Sequence, residues 1–150
     1  MTMPKAPVNA ASNRGFTLIE LLIAVAVVSI LSTIAVTAYT SQVQKSRRTD
    51  ARSALLDLAG REEKLFSTAN AYSALPSDLG YGAVGVPWPI TVGSGYYQVS
   101  VTTPDSQSYS ITATPLGAQL NDTTCASLSV NQLGAQTSTG TGTAATCWGN

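Results

Sequence analysis

The sequence predicts an α+β fold: one long N-terminal α-helix, with a small C-terminal antiparallel β-sheet packed on its second half. Three observations carry this expectation. A run without any charged residue extends from Leu21 to Gln44. An apolar stripe at helical spacing continues from Ala51 to Ala69. Segments of alternating polar and apolar residues begin at Tyr97. A chain of 150 residues can form one domain with a modest core.

Residues 1–15, MTMPKAPVNAASNRG, are polar and carry Lys5 and Arg14. They lack the apolar stretch of an ordinary secretory signal peptide. The apolar run FTLIELLIAVAVVSILSTIAVTAY starts directly after Gly15. As helix, Leu18 to Tyr39 is about 33 Å long, which matches a bilayer hydrocarbon core of roughly 30 Å. It is apolar on nearly every face, as expected of a membrane helix. Lys45, Arg47, Arg48 and Arg52 follow the run, so a positive-inside count places its C-terminal side in the cytoplasm. The cysteine pair and the charge-poor, Ser/Thr-rich C-terminal half argue for an oxidising exterior instead. The expected orientation is N-terminus inside, C-terminus outside. Glu20 stands out in this segment. At the start of a helix its charge complements the macrodipole. If the chain is cut after Gly15, a new amine on Phe16 lies one helical turn before Glu20. That cation is disfavoured at a helix N-terminus and in apolar surroundings, and Glu20 can neutralise it.

Helix is expected from Phe16 to about Ala69. Ala51, Leu55, Leu58, Glu62, Leu65 and Ala69 form the stripe, widened by Ala54, Ala59 and Phe66. The opposite face is assigned Arg48, Arg52, Asp57, Arg61, Glu63 and Lys64, with Asp57 and Arg61 as an i,i+4 pair. Gly60 is a local weakness. Residues 70–96 read as loop, punctuated by Pro and Gly, with Tyr72, Tyr81 and Trp88 pinning it to the domain. Strands are expected at Tyr97–Thr102, Tyr109–Thr114 and Ala126–Gln132, with a turn at Thr103–Ser106. Thr137–Thr146 is low-complexity and reads as loop.

Eight basic residues balance eight acidic ones, so bulk charge gives no indication of a nucleic-acid partner. The Lys45/Arg47/Arg48/Arg52 cluster could contact DNA, but lipid headgroups or a partner protein fit its place beside the apolar run better. The chain has no histidine. It has neither a nucleophile-elbow serine nor a phosphate-binding glycine motif. Asp78, Asp105 and Asp122 are isolated and read as turn residues. No catalytic residue, cofactor or metal site is expected. Cys125 and Cys147 have no metal-ligand spacing, and a disulfide is their simplest reading, with two free thiols as the alternative. The bond would close a loop of about 21 residues and stabilise the fold by roughly 3 kcal/mol.

Arg14-Gly15-Phe16-Thr17-Leu18-Ile19-Glu20, followed by the uncharged helix, resembles the prepilin leader junction of type IV pilins and type II secretion pseudopilins. YYQVSV, YSITATPLGAQ, the cysteine before SLSVNQLGA and the final CW resemble minor pilins of the PilE type. The resemblance covers most of the chain after Gly15. It implies the type IV pilin fold, peptidase cleavage between Gly15 and Phe16, N-methylation of Phe16, and Glu20 as the acidic residue that steers assembly. It also implies a disulfide-bounded region from Cys125 to Cys147. The implied parts are a leader (1–15), an assembly half of the helix (16–44), an amphipathic half (45–70) and a globular sheet domain (71–150). The implied partners are other major and minor pilins, the prepilin peptidase, the inner-membrane assembly machinery and, before assembly, the lipid bilayer. The implied location is the bacterial inner membrane, as a single-pass protein with its C-terminal domain in the periplasm, and then the extracellular pilus. A minor pilin serving pilus biogenesis, twitching motility and adhesion is the function implied. A major pilin, a pseudopilin or a signal-anchored binding protein are its rivals. Many family members have glycine and proline where this chain has Ser29 and Thr37, so the helix is expected to run unbroken from Ala24 to Tyr39.

Overall fold

The computed structural model describes residues 15–149. The expected leader lies outside the described residues except for Gly15. The described chain falls into two units that divide after Tyr39. Helix α1, Leu18–Ala69, begins in the first unit and ends in the second. Thr17 starts it: its Oγ1 accepts a hydrogen bond from the Glu20 backbone N–H (3.3 Å), and its carbonyl accepts from Leu21 N (3.2 Å). Threonine is a favoured N-cap because it satisfies an otherwise unpaired helical donor. At the other end Asn70 takes a left-handed conformation (φ 53°), the position where asparagine replaces glycine in helix C-caps.

In the second unit the residues of α1 that turn inward are Arg48, Ala51, Ala54, Leu55, Leu58 and Glu62. Their three- and four-residue spacing keeps them on one face. They meet a five-stranded antiparallel sheet of β1 (Ile90–Val92), β2 (Tyr97–Asp105), β3 (Ser108–Pro115), β4 (Ser127–Asn131) and β5 (Gln136–Thr139), arranged in chain order. Val99 pairs with Ala113 and Val101 with Ile111, while Ile111 pairs with Val130 and Ala113 with Leu128. The period of two along each strand therefore puts Val99, Val101, Ile111, Ala113, Leu128 and Val130 on one face, where all are buried. Each large side chain in this core contributes about 1.5–3 kcal/mol of burial free energy. A five-residue 3₁₀ turn (Gly117–Asn121) links β3 to β4, and a short helix α2 (Ala144–Trp148) follows β5.

The expected long helix and antiparallel sheet are present, and the sheet is larger than three strands. β1 lies inside the segment expected to be loop, and all but the first residue of β5 and the start of α2 lie inside the low-complexity tail. β5 reads Gln-Thr-Ser-Thr and buries no residue fully. Its strand character comes from pairing with β4 rather than from any alternation of its own. The turn expected at Thr103–Ser106 lies later. β2 continues to Asp105 through an irregularity between Thr102 and Asp105, which accommodates Pro104 where the ladder is already interrupted. Two charged residues also differ from expectation. Arg48 was assigned to the outer face of α1 and Asp122 to a turn, yet both are buried, at 7% and 2% exposure.

Candidate assembly surface

Gly15 precedes α1, and a Cβ built there meets no atom within 4 Å. Folding of this chain therefore places no steric demand for glycine at this position. Phe16 is 84% exposed. With Glu20, Leu21, Ala24, Val25, Val28 and Ser29 it lines one shallow concave face. Thr17 is a residue the sequence reading passed over. The signal was available as Thr17-x-x-Glu20, the spacing of a capping box. It is the Glu20 backbone N–H that bonds Thr17, so the helix start does not depend on the Glu20 side chain.

Across the first unit the apolar side chains of α1 are exposed, from Leu18 and Ile19 through Val36 to Tyr39. Leaving so many large apolar groups in water is unfavourable, and a contiguous apolar surface of this kind marks contact with a membrane or a protein. Three hydroxyl residues among them turn back on the backbone. Ser29 Oγ donates to Val25 O (2.7 Å), Ser32 Oγ to Val28 O (2.8 Å) and Thr33 Oγ1 to Ile30 O (2.7 Å). These hydroxyls need no outside partner, and α1 is unbroken between Ala24 and Tyr39, as expected.

In the second unit the basic cluster divides. Arg48 Nε and Nη2 donate to Asp122 Oδ2 and Oδ1 at 2.5 and 2.6 Å, a bidentate pair in the interior. The same carboxylate accepts from Gln119 Nε2 (2.9 Å) and Cys125 N (3.3 Å). Gln119 Nε2 also reaches Tyr97 Oη (3.2 Å). Arg52 Nη1 donates to the Trp148 carbonyl (2.5 Å). Arg48 and Arg52 thus fasten α1 to the 3₁₀ turn and to α2. Lys45 stays exposed, and the Arg47 guanidinium lies 3.5 Å over the Tyr96 ring centroid. Cys125 and Cys147 form a disulfide (S–S 2.04 Å) that joins the segment just before β4 to α2.

The far end of α1 carries a buried carboxylate. Glu62 is fully buried. Its Oε2 accepts from Ser73 N (3.2 Å), and its Oε1 has no hydrogen-bond partner. Loss of hydration raises the Glu62 pKa, and Glu63 and Asp78 push it the same way. Tyr72 stacks on Phe66 and meets Tyr109 edge-on, and Trp88 Nε1 donates to Ala74 O (2.8 Å). Tyr81 Oη donates to Asp57 Oδ2 (3.0 Å). The Trp88 bond closes the loop on itself, and the rings of Tyr72, Tyr81 and Trp88 all pack against the hydrophobic core, so the three loop aromatics pin residues 71–89 onto the domain, as the sequence predicts. The Asp57–Arg61 pair is also present (2.8 Å), half-exposed.

Comparison with known proteins yields two family matches. A family described as type IV minor pilin ComP, DNA uptake sequence receptor, matches residues 37–129, more than half of the chain. The prokaryotic N-terminal methylation motif matches residues 11–36. A type IV major pilin protein, PilA of Myxococcus xanthus (strain DK1622), is 36% identical over 69 residues, 46% of this chain and 31% of that protein. The chain thus matches about a third of the length of that curated relative. The structure of a type IV pilin from Shewanella oneidensis is similar at 26% identity and a TM-score of 0.47, over 62% of this chain and 89% of that one.

Proposed function

This chain belongs to the type IV minor pilin ComP family, and from that premise we propose how it is processed, anchored and assembled. It is a structural subunit of the type IV pilus with a minor-pilin role, and it works by assembly rather than by catalysis. Cleavage falls between Gly15 and Phe16, and the new amine on Phe16 is methylated. The methylation motif spans this junction, and the absence of any contact above Gly15 supports an external demand for glycine from a peptidase that approaches the backbone closely.

The observation that carries the reading is the apolar half of α1 with its side chains exposed, directly behind that junction. Before assembly a bilayer covers this surface; in the pilus, helices of neighbouring subunits do. The Phe16 amine and Glu20 then set register, because a charge left unpaired there is costly. We place the N-terminus inside, the C-terminal domain in the periplasm and then outside the cell, and the working boundaries at 15/16, 44/45 and 70/71. The partners of the proposal are the prepilin peptidase, other major and minor pilins, and the inner-membrane machinery that extracts the subunit. Immunogold labelling of sheared pili from cells expressing a tagged chain tests the reading. Label on the filaments is expected. A chain confined to the membrane fraction of piliated cells would refute it.

A second reading follows from the matched family's description as a DNA uptake sequence receptor. Phosphate contacts would fall to Lys45, Arg47 and Lys64, because no lysine or arginine follows Lys64, Arg48 is committed to Asp122, Arg52 to the Trp148 carbonyl and Arg61 to Asp57 and the Leu79 carbonyl. Such binding would weaken steeply with salt. A gel-shift titration of the purified chain in detergent at two salt concentrations measures it, and no shift at the lower salt would refute this reading.

A further inference from the structure

We propose that the groove between α1 and the β4–β5 hairpin is a docking site for a basic side chain, lysine or arginine, of a different pilin. The inference rests on the filament reading and supplies a contact by which this chain recognises a neighbour of another kind.

Gly60 lies in the interior of α1. Glycine is less favourable there than alanine, because it gives up more backbone freedom on folding. A Cβ built on Gly60 meets no atom within 4 Å, so no close neighbour within this chain requires glycine. The open space above it is the floor of a hollow of about 440 Å³ between α1 and the hairpin.

Two leucines flank this floor, Leu56 on α1 and Leu133 on the hairpin, 52% and 82% exposed. An isolated exposed leucine is ordinary, but these two share one groove. The Leu133 backbone is held in place. Asn131 Oδ1 accepts from Leu133 N (3.1 Å) and Ala135 N (2.9 Å). Gly134 N donates to Asn131 O (2.9 Å), and Gly134 takes the left-handed conformation (φ 69°) that turns the chain.

Glu63 supplies the charge. Leu56, Gly60 and Glu63 follow at spacings of four and three, so they share one face of α1 over about 10 Å. Tyr72 Oη and Tyr109 Oη both donate to Glu63 Oε1, at 3.1 and 3.4 Å. Burial, with the Glu63 charge beside it, raises the Tyr109 pKa and keeps that hydroxyl a donor. Among the described residues Glu63 forms no ion pair. Lys64, next in sequence, lines a different hollow with Arg61 and Asp78.

Apolar walls leading to one oriented carboxylate suit a side chain with an aliphatic stem and a cationic head. The stem lies across Gly60 between the leucines, and the head reaches Glu63. A purely aliphatic occupant would cover the carboxylate without pairing it, and an acidic one would be repelled.

The test uses the full-length chain in piliated cells. p-Benzoylphenylalanine placed at Leu133 is photo-activated in intact envelopes, and the linked peptides are identified by mass spectrometry. The expected link is to another pilin, within a few residues of a lysine or arginine. Glu63→Gln keeps an acceptor for both tyrosines and should lower the yield about tenfold. Gly60→Leu fills the floor and should lower it at least as much. The unfolding midpoint of purified Gly60→Leu should stay at or above wild type. Glu63→Lys should regain the yield when the linked basic residue is changed to glutamate. A link to lipid, to a second copy of this chain or to a segment without a basic residue overturns the proposal. So does an unchanged yield in Glu63→Gln or Gly60→Leu, failure of the charge exchange, or a lowered Gly60→Leu midpoint, which would mean that glycine serves the fold. The filament reading is scored separately by the presence of the wild-type chain in sheared pili. A charge-dependent link to another pilin, from a chain absent from pili, would remove that reading and leave the docking site standing.

Discussion

Asp122→Ala removes the acceptor at the centre of the buried network in the second unit. The carboxylate receives two bonds from Arg48, one from Gln119 and one from the Cys125 backbone. Its loss strands a guanidinium whose side chain is 8% exposed. An uncompensated buried charge costs about 3–5 kcal/mol, and for a unit of this size that lowers the unfolding midpoint by roughly 10–20 °C. The assay is thermal unfolding of the purified chain in detergent with the disulfide intact, followed by the fluorescence of Trp88 and Trp148. The reasoning makes a second demand. Arg48→Met combined with Asp122→Leu removes both charges and should recover most of the loss, leaving about 1–2 kcal/mol for the Gln119 and Cys125 donors that lose their acceptor. A cost for Asp122→Ala below about 1 kcal/mol, the level of an exposed pair, would refute the account. A double variant no better than the single one would refute it as well.

Four further outcomes are expected. The Glu62 pKa is raised by burial, so the folded state holds its proton more tightly than the unfolded chain, and stability falls as pH rises from the ordinary value of 4.5 through the raised one. Unfolding midpoints of Glu62→Gln and wild type should therefore converge below that range and separate at neutral pH with the variant higher; parallel curves would contradict this. Gly15→Val should leave only precursor on immunoblots, and normal maturation would count against the processing site. Glu20→Ala keeps the backbone bond to Thr17, so cleavage should persist while recovery in sheared pili drops; wild-type recovery would remove the register role. Replacing Cys125 and Cys147 together with serine should destabilise the domain by about 3 kcal/mol in a denaturant titration, and an unchanged midpoint would show that the bond contributes nothing to stability.

What the sequence determined by itself was whatever depends on neighbours a few residues apart. The uninterrupted apolar run, the three-and-four spacing from Ala51 to Leu65 and the alternation in β2, β3 and β4 are each local patterns, and each formed as read. The Thr17 cap, with its donor three residues on, is equally local. Tertiary structure decided the rest. β5 has no apolar face and is a strand because β4 offers it a ladder. β1 is three residues long, too short to show a period of its own. Arg48 and Asp122 lie 74 positions apart, and alone the one reads as an outer-face helix residue and the other as a turn residue, because an unpaired charge belongs in water. Their burial becomes favourable only when the fold brings the two together and adds Gln119 and the Cys125 N–H to the same carboxylate. No pattern within a few residues of either one encodes that meeting.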